Sequence, residues 1–312
     1  MPTIDHRLPL VFLMGATATG KTQRACDLAA EFPLDLVSVD STLVYRGMDI
    51  GTAKPDARVL ARHPHRLIDI REPEQAYSAA DFRADALREI ADIHARGRIP
   101  LLVGGTGLYF RALERGLSEM PRADPALRER LAEEVRVYGK LHMHRKLAMC
   151  DARTAARLDA NDVQRVLRAL EVFELSGVPI SEQQGGVRGR LPWRVLKLGL
   201  VAADRSNLRL RIAERFDQML AQGLENELRS LRARPGWSAD LPSMRAVGYR
   251  QGWDWLDGKV SATDFRMHAL HATSQLAKRQ MTWLRSEHDA WLFDCDAAAS
   301  PSRIHAALAA FL

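Results

Sequence analysis

The sequence predicts an α/β fold, a P-loop NTPase-like parallel sheet flanked by helices, with an all-helical insertion domain. Short apolar runs alternate with helical patterns over the first hundred or so residues, which is typical of a parallel sheet. A phosphate-binding motif follows the first apolar run. From about residue 115 to 184 the strand signals stop, and Arg, Glu, Ala and Leu recur at helical spacing.

Six apolar runs predict the strands, at residues 10–14, 34–39, 66–70, 99–103, 194–200 and 291–294. Helices are predicted over 23–31, 79–96, 205–223 and 301–311. Within the insertion, Asn161 is the predicted N-cap of a helix that stops at Gly177, and a loop over 184–192 leads back to the sheet. The predicted domains are a first part of the core over 1–114, the insertion over 115–192, and a second part of the core with C-terminal helices over 193–312.

Composition limits the possible function classes. The 312 residues, 46% of them hydrophobic and 27% charged, are typical of a globular enzyme. The net charge of +6, mostly from arginine, indicates either a polyanionic partner or an arginine-biased composition. The three cysteines, Cys26, Cys150 and Cys295, have no metal-ligand spacing, which favours reduced thiols in a cytoplasmic protein. No segment resembles a signal peptide or a membrane span, so we expect no membrane partner. We also expect a monomer.

The motif after the first strand predicts a phosphate site. It fits G-x-x-x-x-G-K-[ST] between a strand and a helix. In such a loop, backbone N–H groups and the helix N-terminus surround a phosphate, the lysine adds a full charge, and the last hydroxyl is offered to Mg²⁺. The alternative is a glycine-rich turn that ends in Lys-Thr by chance. The members of this phosphate loop are Gly15, Ala16, Thr17, Ala18, Thr19, Gly20, Lys21 and Thr22.

Two more polar segments follow predicted strands, where ligands of parallel sheets bind. Asp40 follows the second strand and is a candidate Mg²⁺ ligand through water, or a general base; the alternative is a cap of the next segment. Gly104, Gly105 and Thr106 follow the fourth strand, where the two glycines permit close approach of a ligand. A tight turn is the alternative for this second segment.

Two arginine-rich helices are candidate anion sites. Arg211 and Arg215 are four residues apart on a helix that also contains Arg209, so a pair could hold a diphosphate. The C-terminal segment 276–285 is basic and contains Gln, Thr and Trp, which suits RNA backbone contact. A solvated helix face is the alternative for both. Tyr249 is a candidate for stacking on a base, with a core position as the alternative.

The order of the motifs resembles that of one known family. The phosphate loop is followed by S-V-D-S at 38–41, Y-R-G-M-D-I-G-T-A-K-P at 45–55, P-H-R-L-I-D at 64–69, Y-S-A-A-D-F at 77–82, G-G-T-G-L-Y at 104–109, N-D-V-Q-R at 161–165, A-V-G-Y-R-Q at 246–251 and Q-L-A-K-R-Q at 275–280. This combination closely resembles the bacterial tRNA dimethylallyltransferases, also called tRNA isopentenyltransferases, from about Leu10 to Trp291. Ala16 stands where the family commonly has Pro, and Thr19 where it commonly has Ser.

The resemblance implies a reaction, its Mg²⁺ cofactor and its catalytic residues. The dimethylallyl group of dimethylallyl diphosphate moves to N6 of the adenosine 3′ of the tRNA anticodon (position 37), which is flipped out, and diphosphate leaves. The phosphate loop would hold the diphosphate, with Thr22 at the metal. Asp40 would be the general base, Thr106 would position the base or the leaving group, and Arg215 would contact the diphosphate. Whether ATP binds at the loop stays open.

The resemblance also implies a set of tRNA contacts, with the insertion holding the anticodon stem-loop. They are Asp40, Ser41, Thr42, Leu43, Thr106, Arg128, Gln164, Arg165, Val166, Leu167, Arg168, Arg245, Ala246, Val247, Gly248, Tyr249, Arg250, Lys278, Arg279, Gln280, Met281, Thr282, Trp283, Leu284 and Arg285.

Two other classes remain as alternatives. One is a P-loop enzyme with a small substrate, either a kinase or an isopentenyltransferase acting on free AMP. The helical insertion and the basic C-terminal helices favour a large RNA substrate over these. The other is a non-catalytic RNA-binding protein that uses a nucleotide as a switch, in which the strand-end motifs and the phosphate loop would have no catalytic task.

Overall fold

The computed structural model describes residues 8–118, 120–121, 123–183 and 191–312. Within these ranges, six parallel strands form one sheet in the order β3-β2-β4-β1-β5-β6. Since all strands run the same way, their carboxyl ends meet at one edge. The strands are β1 Pro9–Gly15, β2 Leu34–Val39, β3 His65–Arg66, β4 Ile99–Gly104, β5 Arg194–Val201 and β6 Trp291–Asp294.

The described helices fall into two compact units, one formed by 1–114 with 191–312 and the other by 115–190. A short 3₁₀ helix spans Pro242–Arg245. In chain order the α-helices are α1 Lys21–Glu31, α2 Ala57–Arg62, α3 Ala79–Ala95, α4 Gly107–Arg115, α5 Pro125–Tyr138, α6 Lys140–Cys150, α7 Ala152–Ala155, α8 Val163–Ser176, α9 Ile180–Gln183, α10 Arg205–Ala221, α11 Leu224–Arg232, α12 Tyr249–Leu256, α13 Ala262–Arg285 and α14 Ser300–Phe311.

The central strand β1 is buried on both faces because helices cover both sides of the sheet. Side chains alternate between the faces of a strand. Val11 and Leu13 therefore pack with α1 and α14 on one side. Leu10 and Phe12 pack with α3 and α4 on the other. This continuous apolar strand, which ends at Gly15, fixes the start of the phosphate loop at the ligand-binding edge of the sheet.

A third apolar cluster lies beyond the carboxyl edge of the sheet and joins α10, α11, α12 and α13 to the loop that follows β2. Tyr249 and Phe265 are completely or almost completely buried in it. Phe265 stacks on Trp255, with ring centroids 5.1 Å apart. This cluster positions the side of the pocket that faces the phosphate loop.

The unit 115–190 has an apolar core of its own. Helices α5, α6 and α8 surround Leu131, Met143, Leu147 and Leu170. Among its described residues all regular structure is helical.

The predicted fold class, a parallel sheet with flanking helices and a helical insertion, is confirmed. The predicted strand over 66–70 is wrong beyond Arg66, because Leu67 and Asp69 adopt positive φ angles of 64° and 55°. Asp162, not Asn161, caps α8 by accepting a hydrogen bond from the Arg165 N–H. Gly177 ends that helix at a φ of 71° as predicted. Most of the predicted loop over 184–192 lies outside the described residues.

In the described part of the chain, no helix combines the length and apolarity needed to cross a membrane.

Candidate functional site

A pocket of about 460 Å³ opens at the carboxyl edge of the sheet. The loops after β1, β2 and β4 form its base, and α10, α13 and segment 242–248 form its walls. The phosphate loop, Asp40, Thr106 and Arg215 all line it, so residues predicted from separate parts of the sequence meet in one cavity.

The phosphate loop has the backbone conformation that an anion site needs. Ala18 and Gly20 have φ angles of 61° and 77°, so the chain turns sharply before α1. A Cβ at Gly15 would lie 2.9 Å from the Thr19 hydroxyl, so only glycine fits at that position. The Thr19 hydroxyl donates to the Ala16 carbonyl at 2.8 Å, which closes the loop. The loop therefore ends at the N-terminus of α1, the positive end of the helix dipole.

Lys21 points into the pocket, where its ammonium group donates to the Ala16 carbonyl at 2.5 Å. Burial and the nearby Arg215 lower the pKa of Lys21 to about 8, and Asp40 partly offsets this shift. A bound diphosphate would supply the negative charge that this buried ammonium lacks.

Gln280 of α13 connects two of the loops at the base of the pocket. Its Oε1 accepts a hydrogen bond from the Thr17 N–H at 2.8 Å, and its Nε2 donates to the Gly105 carbonyl at 3.0 Å. A Cβ at Gly105 would lie 2.4 Å from that Nε2, so the glycine makes room for the amide. Gln280 was predicted as a tRNA contact, whereas its side chain is engaged inside the protein.

Asp40 and Thr106 lie at the ends of neighbouring strands β2 and β4. The Asp40 Oδ1 accepts hydrogen bonds from the backbone N–H of Thr42 at 2.8 Å and from its hydroxyl at 2.6 Å. The Thr106 hydroxyl accepts from the Ser41 N–H at 3.2 Å. These bonds orient the carboxylate and leave its other oxygen, Oδ2, without a hydrogen bond from the described residues.

The structure distinguishes between the arginines of α10. Arg215 lines the pocket, and burial lowers the pKa of its guanidinium while the charge of Asp40 opposes that shift. Arg211 instead pairs with Asp296 and donates to the Cys295 sulfur at 3.2 Å. Arg209 is exposed. These residues therefore do not form the diphosphate pair considered from their spacing, and Arg215 remains the candidate anion contact of this helix.

Oxygen atoms suited to Mg²⁺ are present beside the phosphate loop. Thr22, Ser38 and Asp40 all line the pocket. The Ser38 hydroxyl is buried and has no hydrogen-bond partner among the described residues. Hydroxyl and carboxylate oxygens are the ligands that Mg²⁺ prefers. The donor set therefore fits a hydrated Mg²⁺, and Thr22 stays the predicted metal-binding residue.

Helix α13 divides its predicted tRNA contacts between the surface and the core. Met281 and Leu284 are buried, and Trp283 stacks on Phe110 with ring centroids 5.8 Å apart. The exposed members are Lys278, Arg279, Thr282 and Arg285. Gln280 and Trp283 are partly exposed, so the four exposed side chains are the most accessible to an RNA.

The predicted contacts in the unit 115–190 divide in a similar way. Val166 is buried in the apolar core, whereas Gln164 and Arg165 are exposed. Arg128 and Arg168 both bond to the buried carboxylate of Glu171, at 2.8 Å each. One carboxylate cannot neutralise two guanidinium groups, so a positive charge remains for a phosphate.

Segment 245–250 also contains both exposed and buried residues. Arg245 and Arg250 are exposed, while Ala246 is buried. Tyr249 is fully buried, and its hydroxyl donates to Glu227 at 2.6 Å. Tyr249 therefore occupies a core position, which was the alternative to stacking on a base. Glu227, which sequence reasoning missed, lies in a helix with one other glutamate, Glu225, and no local signal distinguishes the two.

Comparisons with known proteins agree with this arrangement. The family model described as IPP transferase matches residues 43–287. The tRNA dimethylallyltransferase of Alkalilimnicola ehrlichii is 58% identical over 286 residues, which cover 91% of this chain and 90% of that protein. The tRNA dimethylallyltransferase of Thiobacillus denitrificans is 54% identical over 304 residues, which cover 97% of each chain.

A solved structure gives the same result. The crystal structure of the tRNA isopentenylpyrophosphate transferase from Bacillus halodurans aligns with a TM-score of 0.71 and 37% identity. The alignment covers 98% of this chain and 97% of that chain. The family match over most of the chain and the near full-length relatives together show that the chain belongs to the IPP transferase family of enzymes.

Proposed function

We propose that this chain transfers the dimethylallyl group of dimethylallyl diphosphate to N6 of the adenosine 3′ of the anticodon of tRNA. The observation that supports this most directly is a single pocket lined by a phosphate loop with two buried cations, Lys21 and Arg215, and by the carboxylate of Asp40. The relatives named as tRNA dimethylallyltransferases support the same substrates.

In this proposal the cations and the carboxylate act on opposite sides of the reacting carbon. The N6 atom forms a bond to C1 of the dimethylallyl group while the C1–O bond to diphosphate breaks. The exocyclic amine is a weak nucleophile because its lone pair is delocalised into the ring, so Asp40 removes its proton as the bond forms. Lys21, Arg215 and the loop amides stabilise the charge that develops on the departing diphosphate.

Thr106 and Mg²⁺ have supporting roles in the proposal. The Thr106 hydroxyl lines the pocket and accepts a hydrogen bond from the Ser41 N–H, and its own proton would donate to the base or the leaving group. Thr22, with Ser38 and Asp40 nearby, would hold Mg²⁺. When bound, the metal adds positive charge next to the diphosphate oxygens.

The tRNA would be bound by exposed or partly exposed polar side chains of both units, most of them basic. In the first unit these are the exposed side chains of α13, with Arg245 and Arg250. In the helical unit, Arg128, Gln164, Arg165 and Arg168 would contact the anticodon stem-loop. We also propose a monomeric enzyme, as expected from the sequence, and its tRNA substrate supports a cytoplasmic location.

The proposed function is tested by substitution of the general base. Asp40→Asn and Asp40→Ala should each slow single-turnover transfer from labelled dimethylallyl diphosphate to unmodified tRNA by on the order of 10²-fold or more. Binding of tRNA should be nearly unchanged, because the substitution removes one of many contacts. Asp27→Asn, which alters an Asp on the outer side of α1, is the matched control and should react like the wild type.

The substrate itself separates the candidate functions. Transfer of the label to tRNA but not to AMP supports the proposal, whereas transfer to AMP identifies a free-nucleotide enzyme. Transfer of phosphate from ATP would identify a kinase. An Asp40→Asn variant that alkylates tRNA at the wild-type rate would show that Asp40 is not the base.

A further inference from the structure

Glu227 of α11 occupies an unusual position, because its carboxylate accepts four hydrogen bonds from two different segments. Oε2 accepts from the backbone N–H groups of Asp49 at 2.8 Å and Ile50 at 2.7 Å. Oε1 accepts from the N–H of Gly51 at 3.0 Å and from the hydroxyl of Tyr249 at 2.6 Å. Both oxygens are therefore engaged inside the protein.

Three consecutive N–H groups that converge on one point form an anion-binding nest. In the turn at 49–51 the anion is part of the protein, the side chain of Glu227. Hydrogen bonds to an ionised acceptor are about twice as strong as neutral ones. Removal of the carboxylate would leave three N–H groups, two of them partly buried, without their acceptor, so the turn would lose its conformation or recruit another anion.

The turn held by Glu227 packs directly against the second segment that Glu227 contacts. A Cβ at Gly51 would lie 2.7 Å from the ring of Tyr249, so the turn and the ring are in close contact. Burial and the charge of Glu227 raise the pKa of Tyr249. The phenol therefore stays neutral, and its hydroxyl donates a hydrogen bond to the Glu227 carboxylate. Glu227 thus connects the turn to the first residue of α12.

Both segments continue into the wall of the pocket. Gly51, Thr52 and Ala53 line it from one segment, and Arg245–Gly248 line it from the other. Glu227 itself does not line the pocket. Its carboxylate therefore acts on the pocket only through the two segments that it holds.

Lys54 holds the same turn from the opposite side. Its buried ammonium group donates to the Asp49 carboxylate and to the Asp69 carboxylate, at 2.5 Å each. These bonds fix the side chain of Asp49, whereas the backbone N–H groups of the turn depend on Glu227. Lys54 therefore cannot replace the carboxylate when it is removed.

We infer that Glu227 is a positioning residue that holds the pocket walls 51–53 and 245–248 in the geometry that receives the target nucleotide of the tRNA. The inference rests on the proposed function for the identity of that nucleotide. The hydrogen bonds of the turn are independent of it and can be measured separately.

The test compares Glu227→Ala with Glu225→Ala, a change of an exposed glutamate on the same helix whose partner is Arg229. Glu227→Ala should raise the KM for tRNA by about tenfold or more, since small displacements of positioning groups have large effects, while the KM for dimethylallyl diphosphate changes by less than about twofold. Formate, a small carboxylate that fits the vacated nest, should restore part of the affinity for tRNA. Chloride at the same ionic strength should not. Glu225→Ala should match the wild type.

Hydrogen exchange provides a measurement that needs no activity. Amides 49–51 should exchange faster in Glu227→Ala than in the wild type, and formate should slow them again. Two milder variants cover the case in which Glu227→Ala fails to fold. Glu227→Gln keeps one acceptor oxygen but turns an amide donor toward the nest, and Tyr249→Phe removes only the hydroxyl. Each should give a smaller rise in the KM for tRNA and faster exchange at the turn.

Specific results would overturn the inference. One is an unchanged KM for tRNA with unchanged exchange at 49–51 in these variants. Another is a lower kcat with both KM values unchanged and no response to formate, which would indicate a general loss of folded protein. Failure of the proposed function is recognised separately, because the wild type would then not alkylate tRNA, while exchange at 49–51 would still report on Glu227.

Discussion

Lys21 is the residue whose protonation state responds most directly to the ligand. Its ammonium group donates to the loop carbonyl of Ala16, and burial with the nearby Arg215 lowers its pKa to about 8. The free protein therefore loses this proton as the pH rises through about 8. A bound diphosphate favours the charged form and raises the pKa, so binding above pH 8 should be coupled to uptake of a proton.

The proton uptake can be measured by titration calorimetry with diphosphate in two buffers of different ionisation enthalpy, between pH 8 and 9. We expect the wild type to take up more protons than Lys21→Arg, because arginine stays charged over this range. The affinity of the wild type should fall as the pH rises above 8, and that of Lys21→Arg should fall less. Diphosphate's own titration is the same for both proteins and cancels in the comparison. Equal uptake by the two would contradict a lowered pKa for Lys21.

Helix α13 is the element that links the proposed RNA surface to the phosphate loop. It exposes Lys278 and Arg279, and the next residue, Gln280, bonds to the Thr17 N–H and the Gly105 carbonyl. A typical hydrogen bond contributes about 1 kcal/mol, so loss of both bonds, about 2 kcal/mol, should weaken the binding of dimethylallyl diphosphate by up to roughly 30-fold. We expect this result for Gln280→Ala, measured as the KM for dimethylallyl diphosphate and as faster exchange of the Thr17 amide.

Gln275→Ala is the matched control for this prediction, because Gln275 is exposed on the same helix and bonds only within it, to His271. It should bind dimethylallyl diphosphate like the wild type. If Gln280→Ala changed only the KM for tRNA, Gln280 would be an RNA contact, as the family resemblance implied, and not a support of the phosphate loop.

At the scale of the elements, local strand and helix patterns account for the parts of the fold that the sequence predicts. The apolar run of β1 and the phosphate loop are local signals, so their positions were recoverable, and the strand-end rule correctly placed Asp40 and Thr106 at one edge. The third predicted strand is wrong where Leu67 and Asp69 turn left-handed, a conformation that is rare for Leu and that a single Asp does not by itself predict.

The contacts that complete the site depend on pairs distant in the sequence. Gln280 bonds to a residue 263 positions earlier, and Glu227 to residues 176 to 178 positions earlier. Nothing in the local pattern of either helix indicates such partners. Distant contacts also decide which arginine of α10 faces the pocket. Asp296 and Cys295 bind the Arg211 guanidinium, and Arg215 lines the pocket.

At the scale of the whole molecule, the chain contains two units that each have an apolar core. A unit with its own core can fold independently of the rest. The two positions that flank the insertion, Leu113 and Leu191, pack against the same apolar cluster of the first unit. We expect a flexible Gly-Ser linker of sufficient length to join them while the sheet is kept.

This arrangement predicts that replacement of residues 116–190 by a short Gly-Ser linker leaves the first unit folded. The shortened protein should bind diphosphate within about threefold of the wild type, since every residue that lines the pocket lies outside the replaced segment. Transfer to tRNA should fall by on the order of 10²-fold, because Arg128, Gln164, Arg165 and Arg168 are lost together and each phosphate contact contributes to affinity. Calorimetry with diphosphate and single-turnover transfer at saturating dimethylallyl diphosphate measure the two properties separately. A shortened protein that binds diphosphate and still alkylates tRNA at the wild-type rate would show that the helical unit does not bind the substrate.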